Sequence, residues 1–517
     1  MRPAGEPPVL FGIAAATLGL VVLLPVALIV AWRGFDGMYG QDSFAYVNYA
    51  SGPLADALRR LDMPPDFLWP PGYPLLAAIV GLFLPLGPTA AQVVSLLAGA
   101  LVPVFVALLG REVIPQQLGH RARDGLPLLA GLVVALTGQL WQSSVVTMGD
   151  TSAVALATCG AWATCRYVRH GSRWALALAA SAVVLAVETR LIYGLVALPL
   201  GALGLSGVAR AYRQTPARAA GDLLLGGAVA LAVAGPTLVP ILRASLDGLP
   251  PPFLAGLAIN RWDPLSIVSS TFVNYDGRLD YALPTGLFYL LQPVQHYWFT
   301  LLGLLAIPGA LAVTRWRSLA SGAVLIAWPL LVVGFLVGGA YQNTRFFLAA
   351  APPLAILIAA GVGWMWQLAR SVTGPRRVLS PALIAAGLSL LLLANGALAA
   401  RFTMAFIGRF QEDNASIRGL VARVPDEARL ITLGPTNLLA YDGRPGVVEL
   451  SDLDESSIVT LLEDGVPSYL LVDIDAMHRQ WMVLGSGRAV AVLEAAGRLR
   501  FIDRSTIWTL YEIGPSG

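Results

Sequence analysis

Lysine is missing altogether: all 34 basic residues of this 517-residue chain are arginine. A Walker-type phosphate loop and a Schiff-base enzyme both need a lysine amine, so neither chemistry is open to it. Charge of either sign is scarce, 13% of residues, where soluble domains carry about a quarter. Cysteine occurs twice, as Cys159 and Cys165, inside one apolar stretch. That excludes a disulfide framework, and the four scattered histidines add no metal-ligand spacing. The two thiols read as small apolar packing residues.

What the chain has in quantity is apolar sequence, 56% of residues, with a mean hydropathy of +0.68. The class that follows is a polytopic α-helical membrane protein. Its pI of about 8.9 reflects arginines between spans, so no nucleic-acid partner is expected. Windows of about 19 apolar residues mark eleven spans, near 10–32, 88–110, 126–147, 151–168, 174–190, 191–209, 221–243, 286–312, 319–340, 345–368 and 380–402. The first apolar run, roughly 22 residues, is too long for a signal-peptide core and reads as a retained span.

The stretch PPGYPLLAAIVGLFLPLGP offers only about 13 apolar residues, short for a crossing. Arginine placement arbitrates. The clusters GREVIPQQLGHRARDG, RYVRHGSR, ARAYRQTPAR, TRWRS and ARSVTGPRR share one side only if this stretch does not cross. The positive-inside rule makes that side cytoplasmic, with the N-terminus in and the C-terminal region out. PPGYPLL is then a re-entrant or interfacial helix of a first outer loop, residues 33–87. The expected organisation is a transmembrane domain, 1–402, and an extracytoplasmic α/β domain, 403–517. In the latter, ARLITLG, GVVEL, SYLLVDI, RLRFID and TIWTLYEIG read as strands. EDNASIRGLVARV and DESSIVTLLEDG read as helices. It reads as a cap or acceptor-docking module. Asn414-Ala-Ser matches a glycosylation sequon, a three-residue pattern that arises often by chance.

Charged residues at span ends on the outer face, away from the basic clusters, are the functional candidates. Asp42, in YGQDSFAY, is either a solvated loop aspartate or a carboxylate placed at the bilayer boundary as a general base. Asp150, in MGDTSAVAL, is either a helix cap or a substrate contact. Glu188 and Arg190, in VETRLIYG, and Arg345, in YQNTRFF, end or open spans. The arginines are either interfacial, snorkelling side chains or a clamp on an anionic phosphate, to which a planar guanidinium is suited. His296, beside Tyr297 and Trp298, is either part of an interfacial aromatic belt or a ligand or proton carrier. The aromatics of FLWPPGYPLL, Tyr73 among them, either lie on lipid or offer a sugar platform.

In order along the chain stand an acid in the first outer loop, PPGYPLL, a span ending in GREV, MGDTSAVAL, TRLIYGLVALPL and NTRFFLAAAPPLAIL. The pattern resembles the GT-C fold glycosyltransferases, in particular the bacterial branch related to protein O-mannosyltransferases and lipid A aminoarabinose transferases. The resemblance covers residues 10 to 402, and the terminal α/β domain is similar to the extracytoplasmic domains of such enzymes. It implies transfer of a sugar from a polyprenyl-phosphate carrier to a lipid, glycan or protein acceptor on the outer face of the cytoplasmic membrane. On that reading Asp42 matches the catalytic acid of the first loop. Asp150 matches the second outer-face acid, and Arg345 a phosphate-contacting arginine. Where the family often has two adjacent acids, Ser43 follows Asp42 here. The cofactor expectation is therefore open between none and a divalent metal held by Asp42 and Asp150. The competing readings are a flippase or transporter of lipid-linked sugars, a ligase or polymerase using a diphosphate-linked oligosaccharide, and a non-catalytic membrane scaffold.

Overall fold

Helix α1, Val9–Arg33, shows how the chain meets the membrane. Phe11, Ala15, Leu18, Val22, Val26 and Ile29, three or four residues apart, are buried, while Leu10, Leu20, Leu24 and Leu28 face outward. One stripe packs on protein and the opposite stripe lies on lipid. The computed structural model describes residues 9–65, 67–115, 120–246, 248, 262–316, 318–371 and 376–515.

After α1 come three short helices, α2 (Gly40–Ser51), α3 (Pro53–Arg60) and α4 (Gly72–Val80). At 1.5 Å per residue, the nine residues of α4 reach only about 14 Å, less than half of a bilayer core. Longer helices follow: α5 (Pro88–Val113), α6 (His120–Ala135), α7 (Gly138–Val145), α8 (Asp150–His170), α9 (Arg173–Thr189), α10 (Gly194–Gln214) and α11 (Pro216–Leu246). The last three expected spans correspond to helical segments Leu319–Leu336, Thr344–Ser371 and Arg376–Val421.

Among the described residues seven helices are long and apolar enough to cross a membrane, and the bent pair α6–α7 would make an eighth. Three expected spans depart from that standard. Helix α8 is less apolar because it is enclosed by α5, α9 and α10, so Thr158 and Thr164 can turn their hydroxyls onto the carbonyls of Val154 and Gly160. Helix α9 has only 17 residues. The 286–312 segment is not one helix: Pro293 interrupts it, a turn follows, and Thr300 sits at φ 51° before the chain coils again.

Five strands form the C-terminal sheet: β3 (Arg429–Thr432), β4 (Val447–Glu449), β5 (Ser468–Val472), β6 (Leu499–Ser505) and β7 (Trp508–Ile513). Ahead of them β1 (Thr271–Asn274) and β2 (Gly277–Asp280) form a hairpin. The sheet order is β4-β3-β5-β7-β6, with β3 parallel to both β4 and β5 and the β7 pairings antiparallel. Alternation along the strands serves two cores. Leu430 and Leu471 join the core that continues into the membrane bundle, while Ile431, Leu470 and Val472 close against the outer helices. The change of composition near Phe402 falls inside the helix Arg376–Val421, which runs out of the bundle and carries Ile417 and Leu420 into that shared core.

The two ends of the bundle carry different chemistry. At one end, the arginine clusters meet: Arg169 pairs with Glu112 at 2.8 Å and Arg173 with Asp222 at 2.8 Å. The other end holds the first loop, the starts of α5 and α8 and the end of α9.

Candidate functional site

Gly37 begins the construction of the site. Its φ of 85° is left-handed, and a Cβ there would lie 2.9 Å from the Thr147 methyl, so only glycine fits. The buried Gln92 amide then fastens two segments together, donating to the carbonyls of Phe35 (3.1 Å) and Val145 (2.8 Å). The Thr147 N–H donates to the Gly37 carbonyl at 3.0 Å. This brings α2 beside the start of α8. Asp42 lies in the first turn of α2, and Tyr46, four residues on, shares its face. A second close approach needs Gly72, where a Cβ would fall 2.6 Å from the Glu188 carbonyl oxygen. It seats Trp69 and Pro70 against the end of α9.

Arg345 enters from a turn that the Asn343 side chain caps by accepting its N–H at 3.0 Å. Its Nη2 donates to Asp42 Oδ2 at 3.1 Å and its Nη1 to Tyr39 Oη at 2.7 Å. Arg190, at the end of α9, donates through Nη2 to Asp150 Oδ2 at 2.9 Å. Two acid–arginine pairs thus stand together, and all four charges act on the Tyr46 phenol. Burial pushes that phenol up to about 12, against the pull of Arg190, so it remains a hydrogen-bond donor at any physiological pH.

These pairs are unsaturated. Arg190 Nε, Arg345 Nε, the Tyr46 hydroxyl, Ser43 Oγ and Ser152 Oγ are buried without a partner, five of the nine such side-chain atoms among the described residues. A buried polar atom left unpaired costs about 1–3 kcal/mol, and this group of donors and hydroxyls is suited chemically to a polyanionic or polyhydroxylated group. Beside it opens a cavity of about 510 Å³. Asp150, Arg190 and Arg345 form its polar wall, and Leu191, Leu195, Phe335, Leu336 and Leu348 much of its apolar remainder. Trp69, Pro70 and Trp262 also line it. PPGYPLL reaches the cavity through Pro70 and the 244–285 loop through Trp262; 247 and 249–261 lie outside the described residues.

Three further candidates lie elsewhere. Glu188 is not in the lining to which Thr189 and Arg190 belong, and accepts a hydrogen bond from Thr237 of α11. Tyr73 is fully buried, with its hydroxyl on the Ala91 carbonyl (2.8 Å) and Ser95 Oγ (3.0 Å), so it supports the floor without facing the cavity. His296 packs its ring on Tyr297 (4.0 Å) and Phe402 (4.6 Å), in an aromatic cluster at the break of the 285–314 segment. The sequon residue Asn414 is buried, donating to the Met38 carbonyl at 3.1 Å. Tyr46 and Tyr39 were not singled out from the sequence. The available signal for Tyr46 was its helical spacing from Asp42; Tyr39 has none.

Among the described residues no three His, Cys, Asp or Glu side chains converge, and Asp42 and Asp150 each face an arginine.

No protein-family model and no curated protein matches the sequence. Solved structures do match in fold. ArnT from Cupriavidus metallidurans bound to undecaprenyl phosphate aligns over 98% of this chain and 99% of its own, at 14% identity and a TM-score of 0.55. The same protein in the apo state gives 15% identity over 97% and 100%, with a TM-score of 0.57. The archaeal oligosaccharyltransferase AglB from Archaeoglobus fulgidus, in complex with an inhibitory peptide and a dolichol-phosphate, aligns over 96% of this chain and 74% of its own, at 12% identity and a TM-score of 0.57. The chain has the GT-C fold, helical membrane bundle and small sheet domain together.

Proposed function

We propose that this protein is a membrane glycosyltransferase that moves a sugar from a polyprenyl-phosphate carrier to an acceptor hydroxyl on the outer face of the cytoplasmic membrane. The observation that carries the reading is the pair of part-buried arginines, each with a buried, unpartnered Nε, at the polar end of an otherwise apolar cavity. A phosphate bearing a long hydrocarbon matches both halves of that surface. The fold likeness to ArnT bound to undecaprenyl phosphate supports the same class. The carrier cannot leave the bilayer, which is why the site stands at a bundle end.

In this reading Arg345 exchanges its hold on Asp42 for the incoming phosphate, freeing the carboxylate. Asp42 accepts the proton of the acceptor hydroxyl while that oxygen bonds to the anomeric carbon. The bond from the anomeric carbon to the phosphate oxygen breaks, its electron pair stays with polyprenyl phosphate, and the anomeric centre inverts. Arg190, Arg345 and the Tyr46 hydroxyl stabilise the charge on the leaving phosphate. Phosphate is already a good leaving group, so one carboxylate suffices where a glycosidase needs two. Asp150 orients Arg190 and faces the sugar. No step uses a metal.

The test uses purified protein in lipid vesicles with a panel of labelled polyprenyl-phosphate sugars and cell-envelope extract as acceptor. Label should leave the carrier with the wild type and not with Asp42→Asn. Carrier that crosses vesicles unconsumed, with Asp42→Asn indistinguishable from wild type, would replace the transferase by a flippase. Consumption of a diphosphate-linked oligosaccharide alone would replace it by a ligase.

A further inference from the structure

The C-terminal domain touches the site from two sides. On one side lies α2, which carries Asp42 and Tyr46. Gln41 Oε1 accepts from the Asn437 N–H at 2.8 Å, and Asn48 Nδ2 donates to the Asn437 carbonyl at 3.1 Å. Two side chains of α2 therefore grip both backbone groups of one residue, in the helix Thr436–Tyr441. That helix is itself held to the long helix Arg376–Val421 by the bidentate pair of Arg418 and Asp442, at 2.7 and 3.0 Å.

On the other side lies the β1–β2 hairpin. Gln480 Nε2 donates to the Asp276 carbonyl in its turn. A Cβ at Gly277 would fall 2.3 Å from the Gln480 carbonyl oxygen, so the turn is pressed onto this loop of the domain. The hairpin in turn binds the cavity rim, Asn274 Nδ2 donating to the Ala340 carbonyl at 3.1 Å, next to Tyr341 and a few residues before Arg345.

We propose that the C-terminal domain is a clamp that sets the outer mouth of the site, with Gln41, Asn48 and Gln480 as positioning residues and the acceptor entering between α2 and the hairpin. The proposal rests on the transferase reading for its kinetic consequence only. Both walls are tied to one sheet domain, which adds its own bonds to those the bundle makes and so links the two across the mouth. None of the three side chains is among the residues that hold the phosphate, which lets the two roles be separated.

The experiment compares full-length wild type, Gln41→Ala/Asn48→Ala and Gln480→Ala in lipid, with three readouts: binding of undecaprenyl phosphate, acceptor KM and kcat, and hydrogen exchange of α2 and hairpin amides. Carrier affinity should stay within about two-fold while kcat falls about 10-fold or more, since small misplacements of a reacting group cost that much. Exchange should rise in α2 for the double variant and in the hairpin for Gln480→Ala, with α1 and α5 unchanged. Carrier binding lost in step with kcat, or kcat unchanged, overturns the proposal. If the wild type neither binds carrier nor transfers sugar, the function reading fails by itself; exchange then decides the clamp, and unchanged exchange in both walls sinks it.

Discussion

Two regions of this bundle hold arginine–carboxylate pairs, and they are built differently. At the end that carries the basic clusters, Asp222 is enclosed and saturated: Arg173 Nε donates to it at 2.8 Å and Tyr167 Oη at 3.0 Å, with Arg218 Nε 3.9 Å away. No atom of that group is among the buried side-chain atoms without a partner. At the other end Asp42, Asp150, Arg190 and Arg345 are also paired, yet two guanidinium Nε atoms and a phenol hydroxyl have nothing to bond. The first arrangement fastens α8, α9 and α11 together. The second pairs its charges and still leaves buried donors without a partner among the described residues.

The comparison breaks most sharply at the two aspartates. Asp42→Asn should cut transfer by about 10²–10⁴-fold, the usual worth of a general base, with little change in melting temperature. Asp222→Asn should do the reverse, costing about 1.5–3 kcal/mol of stability as charged hydrogen bonds are lost. Transfer per folded molecule should stay at the wild-type level. Activity and thermal melts on both variants decide it, and a mirror-image result would mean the saturated end is the functional one.

The arginines sharpen the contrast. Arg345→Lys and Arg190→Lys retain charge but lose the planar fork, so carrier affinity should fall by about 10-fold or more. Arg173→Lys at the other end should leave carrier binding unchanged. Titration with undecaprenyl phosphate measures both.

How much of this could be read beforehand follows from the same contrast. Apolar runs and strand alternation can be read along the chain, so seven of the eleven expected spans stand as helices long enough to cross, the bent pair α6–α7 answers to an eighth, and the five C-terminal strands were placed. The break at Pro293 and the enclosure of α8 could not, because both depend on neighbours distant in the chain. Asp42, Asp150, Arg190 and Arg345 were legible because charge at the end of an apolar span is conspicuous. Glu188 carried the same signal and packs against Thr237 instead, since sequence does not tell which way a helix end turns. Tyr73 was drawn in by its proline-rich surroundings, which shape a loop. Tyr46 was passed over because an unpaired hydroxyl becomes visible only when its neighbours are known.

Tyr46 and Tyr167 form the next pair of tests. Tyr46→Phe removes one hydroxyl that has no protein partner, so stability should hold or rise slightly while transfer falls by about 10-fold. Tyr167→Phe removes a hydroxyl bonded to Asp222 and should cost about 1 kcal/mol without affecting transfer. Equal losses of stability in the two variants would show that the Tyr46 hydroxyl is satisfied in the resting protein.

The smallest expected effect concerns Asp276, in the hairpin turn. Burial raises its carboxyl from 3.8 to about 6, the charge of Asp42 adds to the rise, and a hydrogen bond from Tyr275 opposes it. The folded protein therefore holds this proton more firmly than the unfolded chain. Its contribution to stability is complete below pH 3.8 and is lost as pH rises through about 6. Asp276→Asn carries no such titration. The variant should match wild type near the low end of that window and melt higher than it near neutrality. Because the group is only partly buried and so partly screened, the gain should be about 1–2 °C. Melts of the two proteins across this range should diverge with rising pH. Parallel curves would show that the hairpin turn does not hold this carboxyl out of water.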